Sequence, residues 1–417
     1  MIDIPMGRLA NKRITLGVAG SIAAFKAAAL CSLLKKEGAT VRVILTNSAC
    51  QFIGAATFQG LSGNRVASDM FDRGVAGELH VQLGTESDLL VVAPATADLM
   101  ARAAQGRADD LLTATMLCAR CPILLAPAMH PAMWDHPSTR RNTEQLRSDG
   151  RVRLVGPVSG EVATGEIGLG RMAEPEVLLD AVIAALTDQD LRGRHVVVTA
   201  GPTVEDLDPI RFLSNRSSGK MGFAIAQRAA QRGARVTLIC GPVGLATPPG
   251  VERIDIRSAL SLQDALGRVL ATPAVEEVAR SGPDCLVMAA AVGDFRARSV
   301  SNRKLKRADS SAPLELEQNP DILAEIGATR RDSSTVLVGF AVETGDDHHL
   351  VSCARAKLSA KGVDMVVAND AKDGFGGDDN RAVLVTDSQA IPLERCSKLQ
   401  LADEILSWIL QRWEANR

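Results

Sequence analysis

The chain alternates short, continuously apolar segments with helical patterns, and this alternation constrains its fold more than any other feature. Residues 12–20 and 194–201 each read as a buried strand that enters a glycine turn. Strands that are apolar along their whole length are buried on both faces, and intervening helices imply parallel pairing. The sequence therefore predicts two doubly wound, Rossmann-like α/β domains with ligands at the carboxyl ends of their strands. The further predicted strands are 41–46, 89–93, 123–126, 235–240, 285–289, 336–340 and 365–368.

A polar stretch at residues 187–193 follows an amphipathic helical pattern and separates the two halves. We therefore expect one domain at 8–188 and a second domain at 191–414. The chain has 417 residues, of which 46% are apolar and only 3% aromatic, with no Tyr. This length and composition predict two cores of ordinary size that are built from aliphatic side chains.

Charge and cysteine usage narrow the expected partners and location. The formal net charge of −2 gives no electrostatic reason to expect nucleic acid or an anionic membrane surface as a partner. The chain has no apolar run that approaches the roughly 20 residues needed to span a bilayer. Its eight cysteines are scattered, which is typical of a reducing compartment. We therefore expect a soluble, cytoplasmic protein.

Two short patterns resemble metal or redox sites but favour simpler interpretations. Cys118 and Cys121 have CxxC spacing without a second such pair, so we interpret them as reduced cysteines that pack in the interior. His348 and His349 follow two aspartates, and we interpret this polar segment as a solvated loop.

The glycine turn at residues 17–24 joins the first predicted strand to the first predicted helix. Glycines let backbone amides approach a phosphate, and the amino end of a helix favours its negative charge. Ser21 adds a hydroxyl donor. By itself the turn is compatible with a phosphate-binding loop or with a tight turn that binds nothing.

Two later strands end in similar loops of small residues, 93–97 and 127–130. We expect Pro94 to end the strand before it, because proline has no backbone N–H for the ladder. The small side chains leave room for a flat ligand beside the sheet. His80 and His130 fall near predicted strand ends and are candidate acid–base or binding residues.

Four segments of the first half, 20–26, 93–97, 127–129 and 165–172, resemble the flavin-dependent phosphopantothenoylcysteine decarboxylases in order and spacing. The resemblance implies a flavodoxin-like domain that binds FMN, with the flavin ring at a subunit interface. It implies that His80 is the catalytic histidine and that residues 165–172, the flap, close over the substrate. The FMN-binding residues that it implies are Gly20, Ser21, Ile22, Thr46, Ala93, Pro94, Ala95 and Thr96.

The chain departs from the pattern of this family at two positions. His130 stands where the family often has an Asn that holds the substrate carboxylate, and a histidine still donates a hydrogen bond there. Thr164 stands where many members have a Cys that protonates the enethiol intermediate. A hydroxyl is a much weaker acid than a thiol, so the proton donor of the first half stays open.

The second half carries a polar loop, residues 214–222, before a predicted helix that runs from 221 to 232. The Gly219-Lys220 pair is not part of a P-loop, because Ser214 replaces the first glycine and Met221 replaces the Mg²⁺-binding hydroxyl residue. The loop is compatible with an anion or carboxylate site, or with an elaborate helix cap.

Further loops of the second half, 288–295, 304–307, 319–322 and 339–344, combine acidic, cationic and small residues. Together with residues 214–222 they resemble the phosphopantothenate–cysteine ligases, and the two resemblances cover about residues 8–414. The ligase resemblance implies that Asn215 handles an acyl-cytidylate and that Lys304 supports its formation. The CTP-binding residues that it implies are Ala289, Ala290, Ala291, Asp294, Lys304, Pro320, Asp321, Ile322, Leu323, Phe340, Lys357 and Lys361.

The two resemblances together imply a bifunctional enzyme of coenzyme A biosynthesis. CTP, assisted by Mg²⁺, would activate 4′-phosphopantothenate for attack by L-cysteine, and the first half would decarboxylate the product to 4′-phosphopantetheine. The family also implies homo-oligomers, with trimer-based decarboxylase assemblies and dimeric ligase domains. Two alternatives stay open: a first half that decarboxylates another thiol or peptidyl substrate, and a non-enzymatic, flavin-binding regulatory subunit.

Overall fold

A computed structural model of the protein describes residues 7–71, 77–162, 164–271, 282–305, 314–330, 335–343, 346–370 and 377–415. The chain forms two compact units, Met1–Thr187 and Asp188–Arg417. Each unit contains one central sheet, and each is described by itself below.

The sheet of the first unit has five parallel strands in the order β2-β1-β3-β4-β5, which is the strand order of flavodoxin. The strands are β1 (Arg13–Val18), β2 (Thr40–Leu45), β3 (Leu89–Ala95), β4 (Ile123–Pro127) and β5 (Val152–Leu154), and a separate hairpin contains β6 (Val158–Glu161) and β7 (Ile167–Arg171). The helices are α1 (Ala24–Lys36), α2 (Ala55–Ser62), α3 (Leu79–Thr85), α4 (Ala97–Ala104), α5 (Leu111–Cys118), α6 (Pro131–Asp135), α7 (Pro137–Ser148) and α8 (Pro175–Leu186), with a 3₁₀ turn at Ala49–Gln51.

The continuous apolar runs of the first unit fill two cores, one on each face of the sheet. In β3, Leu89 and Val91 belong to one core, and Leu90 and Val92 belong to the other. Successive strand residues point to opposite faces, so a strand covered on both sides must be apolar at every position. This packing explains why the apolar runs predicted the strands.

The sheet of the second unit has eight strands in the order β12-β11-β8-β13-β16-β17-β18-β19. These strands are β8 (His195–Ala200), β11 (Arg235–Cys240), β12 (Val251–Asp255), β13 (Cys285–Met288), β16 (Val336–Glu343), β17 (Met365–Asp370), β18 (Asp379–Val385) and β19 (Ala390–Ser397). Two small hairpins pair β9 (Val204–Asp206) with β10 (Phe212–Ser214) and β14 (Phe295–Ala297) with β15 (Leu316–Gln318). The helices are α9 (Lys220–Gln231), α10 (Ala259–Leu270), α11 (Ile322–Thr329), α12 (Asp347–Lys361) and α13 (Lys398–Ala415).

The prediction of two doubly wound α/β domains is confirmed, with differences at three places. β18 and β19 were not among the predicted strands, although residues 382–385 of β18 are continuously apolar, and they add an antiparallel edge to the otherwise parallel second sheet. Pro94 does not end β3; it lies within the strand where the register with β4 shifts, so its missing N–H interrupts no regular ladder. His348 and His349 lie in the first turn of α12 and not in a loop.

Other sequence expectations concern the thiols and the membrane. All eight cysteines are free thiols, Cys118 and Cys121 among them, and burial raises the pKa of the Cys121 thiol. None of the helices in the described ranges combines the length and the apolar character needed to cross a bilayer.

Candidate active sites

The loops at the carboxyl edge of the first sheet are tied together by backbone hydrogen bonds. Thr46 N–H, after β2, donates to the carbonyl of Val18 at the end of β1 (3.1 Å). Ala19 N–H donates to the carbonyl of Pro94 in β3 (3.2 Å). The predicted FMN-binding residues of three strands therefore lie at one edge, although their assignment to FMN stays a prediction.

The loop after β1 offers backbone donors in front of α1. In the part of the chain that the structure describes, the N–H groups of Gly20, Ser21 and Ile22 make no hydrogen bond. A Cβ atom on Gly20 would lie 2.4 Å from Cβ of Ser48, so the close approach of the next loop requires glycine. Three consecutive free N–H groups at the start of a 13-residue helix suit an anionic oxygen.

Two threonines of this edge act as local caps. Thr46 is 7% exposed, and its hydroxyl accepts a hydrogen bond from Ala49 N–H (3.1 Å). The Thr96 hydroxyl accepts from Leu99 N–H and caps α4 (3.3 Å). Each hydroxyl keeps its own hydrogen for donation to a ligand.

His80 lies at the second position of α3, and α3 leads into β3. Because this helix runs back against the direction of the strand, its amino end points toward the carboxyl edge of the sheet. His80 is half-buried, and its Nδ1 atom is buried without a hydrogen-bond partner among the described residues. Burying a ring nitrogen without a hydrogen-bond partner costs folding free energy. Such an unpaired nitrogen is typical of a residue that binds a ligand.

The flap, residues 165–172, contains β7, which pairs with β6 in a hairpin. It is anchored on the loop after β4. Met129 N–H donates to the carbonyl of Gly170 (2.9 Å). A Cβ atom on Gly170 would lie 2.3 Å from the carbonyl oxygen of Met129, so only glycine allows this approach. The flap and the residue after Met129 are thereby held side by side.

His130 joins the loop after β4 to the flap. Its Nε2 lies 3.0 Å from a carboxylate oxygen of Glu166, in the connection between β6 and β7. Its Nδ1 accepts a hydrogen bond from Ala132 N–H (3.3 Å), so Nε2 carries the hydrogen that faces Glu166. Thr164 is exposed in the same connection.

The second unit contains a cavity of about 820 Å³ at the carboxyl ends of its parallel strands. This cavity is lined by the loop at 215–222, by 288–295 after β13, by 318–323 and by the end of β16. All the predicted ligase residues except Lys304 line it: Asn215, Ala289, Ala290, Ala291, Asp294, Pro320, Asp321, Ile322, Leu323, Phe340, Lys357 and Lys361. Positions 306 and 307 of the predicted cationic run, and Thr344, lie outside the described residues.

Asn215 is fixed against the loop after β13. Its amide nitrogen donates to the carbonyls of Ala291 (3.2 Å) and Val292 (3.1 Å). These two bonds satisfy both amide hydrogens and leave the amide oxygen as an acceptor at the cavity wall.

Lys357 and Lys361 lie one turn apart on α12 and face the cavity. The Lys357 ammonium donates to the carbonyl of Phe340 (2.6 Å), and the Lys361 ammonium is ion-paired with Asp321. Burial lowers the pKa of Lys357, and the charge of Lys361 adds to this effect. A bound anion would relieve the repulsion between the two ammonium groups.

Sequence reasoning missed a further cation that lines this cavity. Lys398, at the start of α13, is 5% exposed, and burial together with Lys220 lowers its pKa. Lys220 is ion-paired with Asp378 (2.7 Å). Asn380 also lines the cavity, and its Oδ1 is buried without a hydrogen-bond partner in the part of the chain that the structure describes. Lys398 and Asn380 were missed because β18 and β19 were not predicted, although the apolar run at 382–385 could have indicated β18.

Lys304 is exposed and does not line the cavity. Its loop is held by the buried carboxylate of Asp208, which accepts a hydrogen bond from Leu305 N–H (3.1 Å). The predicted role of Lys304 therefore requires that its side chain approach the cavity when substrates bind.

Comparisons with known proteins agree with this two-part architecture. Residues 4–187 match the family model described as Flavoprotein, and residues 191–412 match the DNA/pantothenate metabolism flavoprotein C-terminal domain. The coenzyme A biosynthesis bifunctional protein CoaBC of Mycobacterium tuberculosis (strain H37Rv) is 45% identical over 414 residues, which cover 96% of each chain. The protein of the same name from Bacillus subtilis (strain 168) is 42% identical over 410 residues, covering 96% of this chain and 97% of its own. A crystal structure of the C-terminal domain of a CoaBC protein aligns with 32% identity and a TM-score of 0.45, covering 55% of this chain and 100% of that chain.

The fold and the matched models define a two-domain α/β protein whose first half is of the flavoprotein type. The chain belongs to the family of coenzyme A biosynthesis bifunctional proteins. The family resemblance that the motifs indicated is thereby confirmed.

Proposed function

We propose that the second unit ligates L-cysteine to 4′-phosphopantothenate with CTP, and that the first unit decarboxylates the product to 4′-phosphopantetheine. The cavity of the second unit carries this proposal, because it brings Asn215 together with Lys357 and Lys361. The first unit would correspond to the predicted domain 8–188, and the second to 191–414.

The ligation needs a nucleotide because a carboxylate is a poor electrophile. Attack of the carboxylate on the α-phosphate of CTP forms an acyl-cytidylate and releases pyrophosphate. The cysteine amine then attacks the acyl carbon, and CMP leaves. Lysine ammonium groups and Mg²⁺ offset the charge of the phosphates during these steps.

The residues that line the cavity support separate roles in binding the nucleoside and the phosphates of CTP. Lys357, which contacts Phe340, and Lys361 share the cavity with Ala289 and Ala290, and these residues offer small side chains and an aromatic ring for a nucleoside. The amino end of α9 and Lys398 suit phosphate oxygens. Asn215 lines the same cavity and can hold the acyl-cytidylate with its amide oxygen.

The residues of the first unit fit a bound FMN. The free N–H groups of Gly20, Ser21 and Ile22 would hold its single phosphate, and the small residues 93–96 would contact the flavin ring. When bound, FMN supplies a reversible two-electron oxidant for the thiol-bearing carbon of the substrate.

The chain itself supplies the groups that move protons in the first unit. His80 would take up or release a proton at its unpartnered Nδ1. His130 carries a hydrogen on Nε2 beside Glu166 and would bind the substrate carboxylate as the flap closes.

We also propose that the protein forms homo-oligomers, trimer-based in the first unit and dimeric in the second. Ile22 and Phe25, next to the phosphate-binding loop, are 64% and 63% exposed. Large apolar side chains that are this exposed beside a ligand site favour burial by another subunit.

The decisive experiment is the product mass from 4′-phosphopantothenate, L-cysteine, CTP and Mg²⁺. We expect 4′-phosphopantetheine, CMP, pyrophosphate and CO₂. Accumulation of phosphopantothenoylcysteine without CO₂ would mean that the first unit acts on another thiol substrate. A protein that forms neither product and releases no pyrophosphate would refute the proposal.

The cofactor is tested independently of the reaction. We expect the purified protein to be yellow and to release FMN, not FAD, on denaturation, because the loop after β1 offers donors for one phosphate. A colourless protein that cannot be reconstituted with FMN would contradict the assignment of the first unit.

A further inference from the structure

Three side chains with metal-binding atoms lie close together, one at the end of β16 and two on α12. Glu343 is the last residue of β16, and His349 and Cys353 lie on α12. One ligand atom from each residue lies within 4.8 Å of the other two. His349 and Cys353 are four residues apart, so they share one face of the helix.

The spacing of the two helix residues fits a tetrahedral metal. The Cys353 Sγ and His349 Nε2 atoms are 3.5 Å apart. For Zn²⁺, bond lengths of about 2.3 Å to sulfur and 2.1 Å to nitrogen give a tetrahedral S–N edge of about 3.6 Å. The pair is therefore already at the separation that zinc requires, before any metal binds.

The chemical types of the three ligand atoms indicate which metal ion the site would bind. A thiolate, an imidazole and a carboxylate together suit Zn²⁺ or a similar transition metal, whereas Mg²⁺ prefers oxygen ligands only. Three protein ligands leave a fourth position for water or another ligand. Since His349 is exposed and the other two are half-exposed, an ion can enter from solvent.

We propose that Glu343, His349 and Cys353 form a binding site for a divalent transition metal, with Zn²⁺ as its chemical type. Binding replaces the thiol proton of Cys353, which is released to solvent, and engages the neutral ring of His349 through Nε2. This site is distinct in chemistry from the Mg²⁺ that accompanies CTP.

The proposed site lies beside the nucleotide cavity. His349, Cys353, Lys357 and Lys361 follow one another at four-residue intervals along one face of α12. Each interval advances about 6 Å along a helix, so the ion would lie one turn from Lys357. β16 carries Phe340 to the same cavity. A bound ion would thus cross-link the strand and the helix that supply this wall.

An S–H···N hydrogen bond between Cys353 and His349 is the competing explanation of the 3.5 Å distance. Such a bond needs no third group, whereas the metal site needs the carboxylate of Glu343. The effect of removing that carboxylate therefore separates the two explanations.

The test uses the full-length protein, purified without a polyhistidine tag and treated with a chelator. Titration with Co²⁺ alone should give one bound ion per chain and a thiolate-to-cobalt charge-transfer band, and Zn²⁺ should displace the Co²⁺. Cys353→Ser should abolish the band, and His349→Ala and Glu343→Gln should each weaken binding about tenfold or more.

Two variants serve as matched controls. His348→Ala removes the neighbouring imidazole, and Cys396→Ser removes another half-buried thiol of the same unit. Both should bind Co²⁺ like the original protein. The proposal is overturned if the band persists in Cys353→Ser, or if Glu343→Gln binds Co²⁺ with unchanged affinity.

Discussion

Gly222→Ala is a sharp test of how the second unit positions its cavity. Gly222 lies in the first turn of α9, against β8. A Cβ atom added there would lie 2.6 Å from Cβ of Ala200 and 2.8 Å from the carbonyl oxygen of Thr199. These atoms belong to a strand in the interior of the sheet and cannot rotate away, so α9 itself must move.

The size of the movement follows from the contact distance. Carbon atoms pack at about 3.6 Å, so the helix must shift by about 1 Å. Overpacking of this kind costs about 1–3 kcal/mol, whereas the helix propensity gained from Gly to Ala is at most about 1 kcal/mol. With the full gain of about 1 kcal/mol subtracted, the variant should lose up to about 2 kcal/mol of stability.

The effect on ligation should be larger than the effect on stability. Residues 219–222 line the cavity, and a misplacement of about 1 Å in a catalytic site can reduce the rate by a factor on the order of 10². We expect pyrophosphate release to fall accordingly, while decarboxylation of added phosphopantothenoylcysteine by the first unit is unchanged.

Gly267→Ala is the matched control. Gly267 lies in α10, and an added Cβ would meet nothing within 4 Å. The variant should keep its ligation rate and gain up to about 1 kcal/mol of stability from helix propensity. Hydrogen exchange measured on peptides of the second unit would report the stability of each variant. If Gly222→Ala were as active and as stable as Gly267→Ala, the reasoning from close packing would be wrong.

Further predictions concern pH and the two active sites. Burial lowers the pKa of His195 from 6.5 to about 4. Between these pH values the ring is therefore neutral in the folded protein and protonated in the unfolded chain. The stability that this provides is present above pH 6.5 and is lost as the pH falls toward 4. The loss between pH 7.5 and 5 should be about 2 kcal/mol and should disappear in His195→Gln; urea midpoints that depend equally on pH in both proteins would contradict it. Asn215→Ala and Lys304→Ala should each reduce amide formation by a factor on the order of 10²–10³ and leave flavin binding intact; ligation rates within about threefold of the original would mean that the CTP site is misplaced. His80→Asn should stop CO₂ release, whereas Thr164→Ala should retain it, because the flap donor acts only after decarboxylation. If Thr164→Ala still forms phosphopantetheine, another group supplies the proton; release of the enethiol would assign that role to Thr164, and the product mass distinguishes the two.

The positions of several candidate site residues could be predicted from the local sequence pattern. The loops at 20–22, 93–96 and 289–291 each follow an apolar strand, and the carboxyl ends of parallel strands meet at one edge of a sheet. Their position at the sheet edge was therefore predictable from the order of strands alone. Phe340, in the carboxyl-terminal half of β16, also lines the cavity of the second unit.

Other contacts could not be read from any local pattern. The pairing of His130 with Glu166 depends on how the flap folds back over the loop after β4. Thr164 and His130 were recognised as departures from a family pattern, but their common position beside one hairpin required the structure. Lys304 differs from these residues. A sequence motif assigned it to the ligase site, whereas its side chain is exposed in the structure.

The sequence by itself determined the alternation of buried strands and helices, because a strand covered on both faces must be apolar at every residue. It also determined where the glycine turns lie, since only glycine allows two loops to approach as closely as Gly20 and Ser48 do. Only the tertiary structure decided which distant charges meet, as when Lys220 pairs with Asp378, 158 residues away. The reason is physical: backbone periodicity acts over a few residues, whereas the meeting of side chains depends on the path of the whole chain.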